Sequence, residues 1–353
     1  SSIGKKLLVL FLIVAGLYFA QEFLIPLAIG AVLATLFLPF CKWMEAKKVP
    51  KFLAVFVCLL LLLLGIAGIA ALISWQIVSL TNDVELIKQK AVVVIEQVQL
   101  YIFNHSGISR DAQAQLVKDQ QASVTGFIET FLGSLVGIFT GLILTLVYVF
   151  LLLYYRTHIK EFLLRLSSPS HRVESEKLIY RATNVSQQYL VGLSKMIFCL
   201  WIMYGIGFSI VGVENAIFFA VLCGLLEIVP FVGNITGTSI TVLVAAVHGA
   251  GFPMLGGIVL TYGIVQFIQG WVLEPLIVGP QVKINPLFTI IALVLGELIW
   301  GIPGVVLAIP LTAMFKIVCD HIEPLKPYGF LIGEIETTKK PFGFVTKIKS
   351  WFK

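Results

Sequence analysis

Residues 52 to 75 read FLAVFVCLLLLLLGIAGIAALISW, an uncharged run without a proline. A helix needs about 20 apolar residues to cross the hydrocarbon core of a bilayer, and this run exceeds that length comfortably. No soluble fold requires it. The whole chain has the same character, with 58% hydrophobic and 12% charged residues and a mean hydropathy of +0.98. Soluble domains carry ~45 to 50% apolar and ~25% charged residues. The chain therefore reads as an all-α integral membrane protein that crosses the bilayer several times.

The net charge of +6 is explained by where the bases lie. Lys5, Lys6, Lys42, Lys47, Lys48, Lys51, Arg156, Lys160, Arg165, Arg172, Lys177, Arg181 and Lys195 flank apolar runs, whereas only Lys88, Lys90, Arg110 and Lys118 fall between the spans at 52–75 and 127–155. By the positive-inside rule both termini, the loop near Lys47 and the stretch from Arg156 to Lys195 are cytoplasmic, and Ser79 to Thr125 is external. These flanks account for the bases without nucleic acid as a partner. The chain opens Ser1-Ser2 without a methionine, as expected of a trimmed amino terminus, and the apolar segment from Leu7 reads as retained rather than as a signal peptide. Cys41, Cys58, Cys199, Cys223 and Cys319 lie in or beside apolar segments without metal-type spacing, so they read as small buried hydrophobes. No cofactor is expected.

Six regions follow. Residues 1–78 hold the amino-terminal membrane segments, including short apolar runs at 7–20 and 24–41 that form an antiparallel pair or a returning hairpin. Residues 79–126 form an external insertion, in which Val84, Ile87, Ala91, Val94, Ile95, Val98 and Ile102 keep a helical rhythm. A span at 127–155 places Gly133, Gly137 and Gly141 on one helix face for close packing. Residues 156–190 are a cytoplasmic helical link broken at SSPSH, 191–320 a membrane core, and 321–353 a basic tail. In that tail Phe344, Ile348, Trp351 and Phe352 share one face of an interfacial amphipathic helix.

Between Met196 and Phe315 the formal charges are Glu214, Glu227, Glu274, Lys283 and Glu297. Three of these carboxylates stand beside prolines and glycines: EIVPFVG at 227–233, QGWVLEPLIVGPQVKINP at 269–286 and GELIWGIPGVVLAIP at 296–310. Broken helices are expected there, at Pro230 and Gly233, at Pro275, Gly279 and Pro286, and at Gly301, Pro303 and Gly304. Proline frees an upstream carbonyl, and irregular backbone at membrane depth survives where it lines a cavity. An acidic side chain at mid-bilayer costs roughly 2.5 to 3.5 kcal/mol. Protonating a glutamate at pH 7 costs a similar ~3.7 kcal/mol. Glu227, Glu274 and Glu297 are thus candidate proton or cation sites, with Gln266, Gln269 and Asn234 as neutral polar partners and no metal cluster. The competing reading puts these carboxylates at solvated membrane boundaries. Glu22, Glu214 and His248 read as loop or interface residues.

Enzyme signatures such as HExxH and GxxxxGK[ST] are missing, and the aspartates, Asp83, Asp111, Asp119 and Asp320, all lie outside the apolar spans. ATP-driven pumping and intramembrane proteolysis are disfavoured. A carrier driven by an ion or by its solute fits better.

The run from EIVPFVG through Gln266 to LEPLIVGPQVKINPLFTIIALVLGELIWGIPGVVLAIPL resembles the carboxyl-terminal signature of the autoinducer-2 exporter family of bacterial membrane proteins. The matching positions are Glu227, Pro230, Gly233, Glu274, Pro275, Gly279, Pro286, Gly296, Gly301, Pro303, Gly304 and Pro310. The resemblance implies about eight membrane-spanning segments, some of them broken or re-entrant helical hairpins in the last third, and a homo-oligomer of pentameric form. It also implies an inner-membrane protein that exports a small signalling molecule, or that exchanges sodium or lithium for protons. A non-transporting membrane scaffold is the reading of another class.

Overall fold

A computed structural model describes residues 2–82, 141–167, 169–229, 232–278 and 282–334. Most of the external insertion expected at 79–126, together with Gly133, Gly137, Pro230, Gly279 and the tail helix at 344–353, lies outside the described residues. The described chain is helical, with a lone antiparallel bridge between Ile284 and Gly333. The helices are α1 (Ser2–Phe19), α2 (Gln21–Ala46), α3 (Lys51–Asn82), α4 (Gly141–Arg165) and α5 (Arg172–Val211). They continue with α6 (Ala216–Leu226), α7 (Val232–Val247), α8 (Phe252–Ile268), α9 (Pro286–Trp300), α10 (Ile302–His321) and α11 (Lys326–Ile332).

Among the described residues six helical stretches are long and apolar enough to cross a membrane, and α6, α7 and α9 are shorter apolar helices. Large apolar side chains point outward along these helices, Phe19, Phe252 and Ile210 being more than 80% exposed. Water would not tolerate so much apolar surface, whereas lipid tails cover it. The protein is a multi-pass, all-α membrane protein.

Two buried clusters organise the helices. Ala34, Cys41, Ala54, Val55, Cys58, Val149 and Leu153 join α2, α3 and α4. Small residues let those backbones approach, as expected where lipid removes any hydrophobic drive between helices. Without a Cβ at Gly30, Tyr148 of α4 can approach to where its own Cβ would stand 2.9 Å from one. The second cluster, around Leu200, Tyr204, Phe208, Phe219, Cys223 and Ile258, joins α5 to α6, α7 and α8. All five cysteines are free thiols, and four of them are buried.

Several local readings change. The two amino-terminal segments are joined through Ala20 alone rather than by a loop, with Ala20 N bonded to Gly16 O and Leu24 N to Ala20 O. Gln21 and Glu22 are helical because backbone bonds run through the junction, and polarity alone does not end a helix. The expected link at 156–190 is divided between the ends of α4 and α5, which meet at a 3₁₀ turn over Pro169–His171. Gly141 has no described neighbour within 4 Å of its Cβ position, and the other two glycines of its stripe lie outside the described residues.

The breaks also differ from one another. The chain leaves helix between Leu226 and Val232, as expected. At Glu274-Pro275 it does not break: α8 widens into a π-helical turn over Gln269–Val278 that contains Pro275. Proline lacks an amide hydrogen and crowds the carbonyl one turn back, and a wider turn accommodates both without ending the helix. Gly301 ends α9 and starts α10 at φ +60°, which favours glycine. Asn285 caps α9, its Oδ1 accepting from Phe288 N at 2.9 Å ahead of Pro286. Its Nδ2 donates to Leu331 O at 2.7 Å and to Gly333 O at 3.1 Å, tying the segment after α10 to this loop.

Candidate functional site

Glu227 stands at the carboxyl end of α6, where the chain leaves helix, and is 6% exposed. Its depth follows from Gly233 and Gly237 in the first turns of α7. A side chain on Gly233 would collide with the Leu226 carbonyl, and one on Gly237 would press on Cys223 at 2.9 Å. Two glycines four residues apart bring α7 directly against the end of α6. Asn234 and Thr238, each one residue further on, share the adjoining stripe of α7.

The π-helical turn supplies the partner. Gln269 Nε2 donates to Glu227 Oε1 at 2.5 Å, and Gln269 is itself buried. Gln266 Nε2 lies 3.3 Å from Gln269 Oε1 and 3.5 Å from the Tyr204 hydroxyl of α5. Thr241 donates to Gly237 O at 2.8 Å and lies 4.0 Å from Cys223 Sγ. Polar side chains from α5, α6, α7 and α8 thus converge inside the apolar cluster.

Three oxygens in this region are buried without a hydrogen-bond partner: Glu227 Oε2, Asn234 Oδ1 and Thr238 Oγ1. Asn234 is 2% and Thr238 7% exposed, and Asn234 lies beside the Glu227 carboxylate. A buried polar group without a partner costs about 1 to 3 kcal/mol. Asn234 stands beside the Glu227 carboxylate and Thr238 beside the Cys223 thiol, so the three atoms belong to one buried polar cluster. All are oxygens that can accept a hydrogen bond or coordinate a hard cation, and the Glu227 carboxylate can also take up a proton. Among the described residues no group of three His, Cys, Asp or Glu could hold a transition metal.

The other candidates fall at graded distance from this centre. Glu274, on the π-helical turn, is exposed yet within electrostatic reach of Glu227 and of buried Tyr189 on α5. The turn packs against α5 at Gly192, where a Cβ would lie 2.9 Å from Ile277 O. Glu297 is exposed on α9 and belongs to a second element, the α9–α10 hairpin, where its carbonyl accepts from Gly301 N at 2.8 Å. In that hairpin Gly296 and Gly304 meet backbone to backbone. His248 is exposed at the end of α7, its Nδ1 donating to Val244 O.

Sequence reasoning missed Tyr204, Thr238 and Thr241. The run NITGTSIT at 234–241, polar inside an apolar helix, was the available signal. Tyr204, among apolar neighbours, left none.

A chain that crosses the membrane repeatedly and gathers polar groups from four helices around one buried carboxylate has the build of a membrane transport protein. It belongs to the AI-2E family of transporters, whose profile matches residues 7–323. It is similar to YrrI of Bacillus subtilis (strain 168), at 24% identity over 309 residues covering 84% of this chain and 86% of YrrI. It is also similar to the AI-2 transport protein TqsA of Escherichia coli (strain K12), at 22% identity over 330 residues covering 92% and 94% of the two chains.

Proposed function

We propose that the protein is a secondary transporter of the bacterial inner membrane, with both termini cytoplasmic, that exports a small polar molecule of the autoinducer-2 kind. Proton or cation binding at Glu227 drives the movement. The observation that carries this reading is the buried, unpartnered Oε2 of Glu227, with Asn234 beside its carboxylate and Thr238 one turn further along α7. A carboxylate with no cationic side chain as partner is completed by whatever positive species reaches it, and it loses that species when the site opens to the other side. Gln269 holds one carboxylate oxygen and leaves the other free. Gln266, half-buried and 3.5 Å from the fully buried Tyr204 hydroxyl, extends the polar cluster to which an uncharged solute makes hydrogen bonds. Glu274 sits nearest as a second acidic station, and Glu297 belongs to the hairpin that moves against this core. The bilayer and further copies of the chain, in a pentamer as the family resemblance implies, are its partners.

One specific observation favours a second reading, a sodium/proton antiporter without organic cargo. The unpartnered atoms are all oxygens, the ligand type that hard cations prefer. Both readings are tested in sealed proteoliposomes holding a pH-sensitive dye, with an imposed pH gradient and sodium or autoinducer-2 added separately. Flux triggered by autoinducer-2 and lost in Glu227→Gln supports the exporter. Sodium-triggered flux lost in the same variant supports the antiporter. Flux unchanged in Glu227→Gln overturns the assignment of this carboxylate.

A further inference from the structure

A groove of about 750 Å³ lies between the second half of α2, the second half of α4 and the first turns of α5, far along α5 from the site above. Its walls are apolar, with Leu38, Leu163, Val173 and Tyr180 among them. Its rim carries Lys42, Arg156, Lys160 and Lys177 against one lining carboxylate, Glu176. Two of these cations are already engaged: Arg156 pairs with Glu45, and Lys160 with Glu176 at 2.5 Å. Lys42 and Lys177 make no ion pair among the described residues. The groove therefore offers an oily floor with unneutralised positive charge at its edge.

Such a division suits a molecule with an acyl chain at one end and an anion at the other. At 40 residues α5 is about 60 Å long, twice the hydrocarbon thickness, so its first turns lie at or beyond the membrane surface. The bases that line the groove put the meeting of the three helices near the lipid headgroups by the positive-inside pattern. The tail at 335–353 is a poor occupant, because its own charges are mostly lysines.

We propose that this groove binds an anionic phospholipid, with an acyl chain against Leu163, Val173 and Tyr180 and the headgroup phosphate held by Lys42 and Lys177. Basic pockets between membrane helices recognise lipid headgroups in this way, each lysine contributing about 1 kcal/mol near the surface.

The test is native mass spectrometry of the full chain, taken from mild detergent into mixed micelles of phosphatidylglycerol and phosphatidylethanolamine in equal amounts. The wild type is expected to retain phosphatidylglycerol preferentially. In Lys42→Gln/Lys177→Gln that preference falls by roughly 30-fold, the equivalent of two lysines, while elution volume and helical circular dichroism stay unchanged. Val173→Asn, which keeps the charges and spoils the floor, weakens retention of both lipids. Excess glycerol 3-phosphate leaves the bound lipid in place, because it lacks the acyl chain. Equal retention of the two lipids by the wild type, full preference in the double variant, or displacement by glycerol 3-phosphate would overturn the proposal.

Discussion

Gln269 and Glu227, 42 residues apart in sequence, are bonded at 2.5 Å, and their contact fastens the π-helical turn after α8 to the carboxyl end of α6. Interhelical hydrogen bonds in membranes average about 0.6 kcal/mol and reach about 1.7. The contact holds geometry more than it supplies stability. Gln269→Leu strands a further carboxylate oxygen and is expected to lower stability by about 1 to 3 kcal/mol. Glu227→Gln keeps a bonded amide there and is expected to leave the thermal midpoint in detergent nearly unchanged while abolishing coupled flux. Midpoints in the reverse order would show that the carboxylate serves the fold.

The Gly296–Gly304 contact predicts a different kind of sensitivity. Each glycine's missing Cβ leaves room for the other's backbone, so Gly304→Val must spread α9 from α10. A loss of about 1 to 3 kcal/mol or more is expected from overpacking. Gly16, with open space around its Cβ position, is the control. Equal midpoints for Gly304→Val and Gly16→Val would refute the tight hairpin.

Two ion pairs of similar sequence chemistry are expected to differ in worth. Arg156 and Glu45 are only 19% and 26% exposed at their side chains, and Arg156 also donates to Leu153 O at 3.1 Å and to Cys41 Sγ at 3.4 Å. Lys160 and Glu176 are 46% and 54% exposed. Arg156→Ala is expected to cost about 2 kcal/mol, by unpairing Glu45 and opening the α2–α4 contact. Lys160→Ala should cost no more than about 1 kcal/mol. Denaturation of both variants under one set of detergent conditions checks the order.

Thiol chemistry reads the packing directly. Cys41, Cys58, Cys223 and Cys319 are fully buried, and Cys199 is the partly exposed one. A membrane-permeant maleimide is expected to label Cys199 at least about tenfold faster than the other four, since reaction requires access as well as thiolate. Mass mapping of the labelled protein decides. Rapid labelling of Cys223 in native protein would mean that the cluster around Glu227 opens in the resting state.

Much of this architecture was legible from hydropathy, because a membrane span needs both length and apolarity and the chain displays both. Glu227, Gln266, Gln269 and Asn234 were also legible as a group, since each is a costly polar residue in an apolar run. The relation between them was not. Which of three similar carboxylates is buried depends on glycines such as Gly233 and Gly237, whose effect appears only when α7 folds back on α6. Likewise Pro275 signals disturbance in any sequence reading, but whether a helix breaks or widens depends on the neighbours that hold it, here the face of α5 around Gly192. The thin separation of the first two helices at Ala20 misled in the opposite sense, since polar residues there resembled a loop.

The length of α5 has a mechanical consequence. One continuous rod of about 60 Å carries Glu176 at one end, Ser186 against Thr35 of α2 further along, and Tyr204 and Phe208 in the second cluster. A stiff helix acts as a lever: tilting its first turns by a few degrees sweeps the opposite end through several ångströms. Whatever grips residues 172–185 therefore also sets the angle at which Tyr204 meets Gln266, and the two halves of the molecule share one axle.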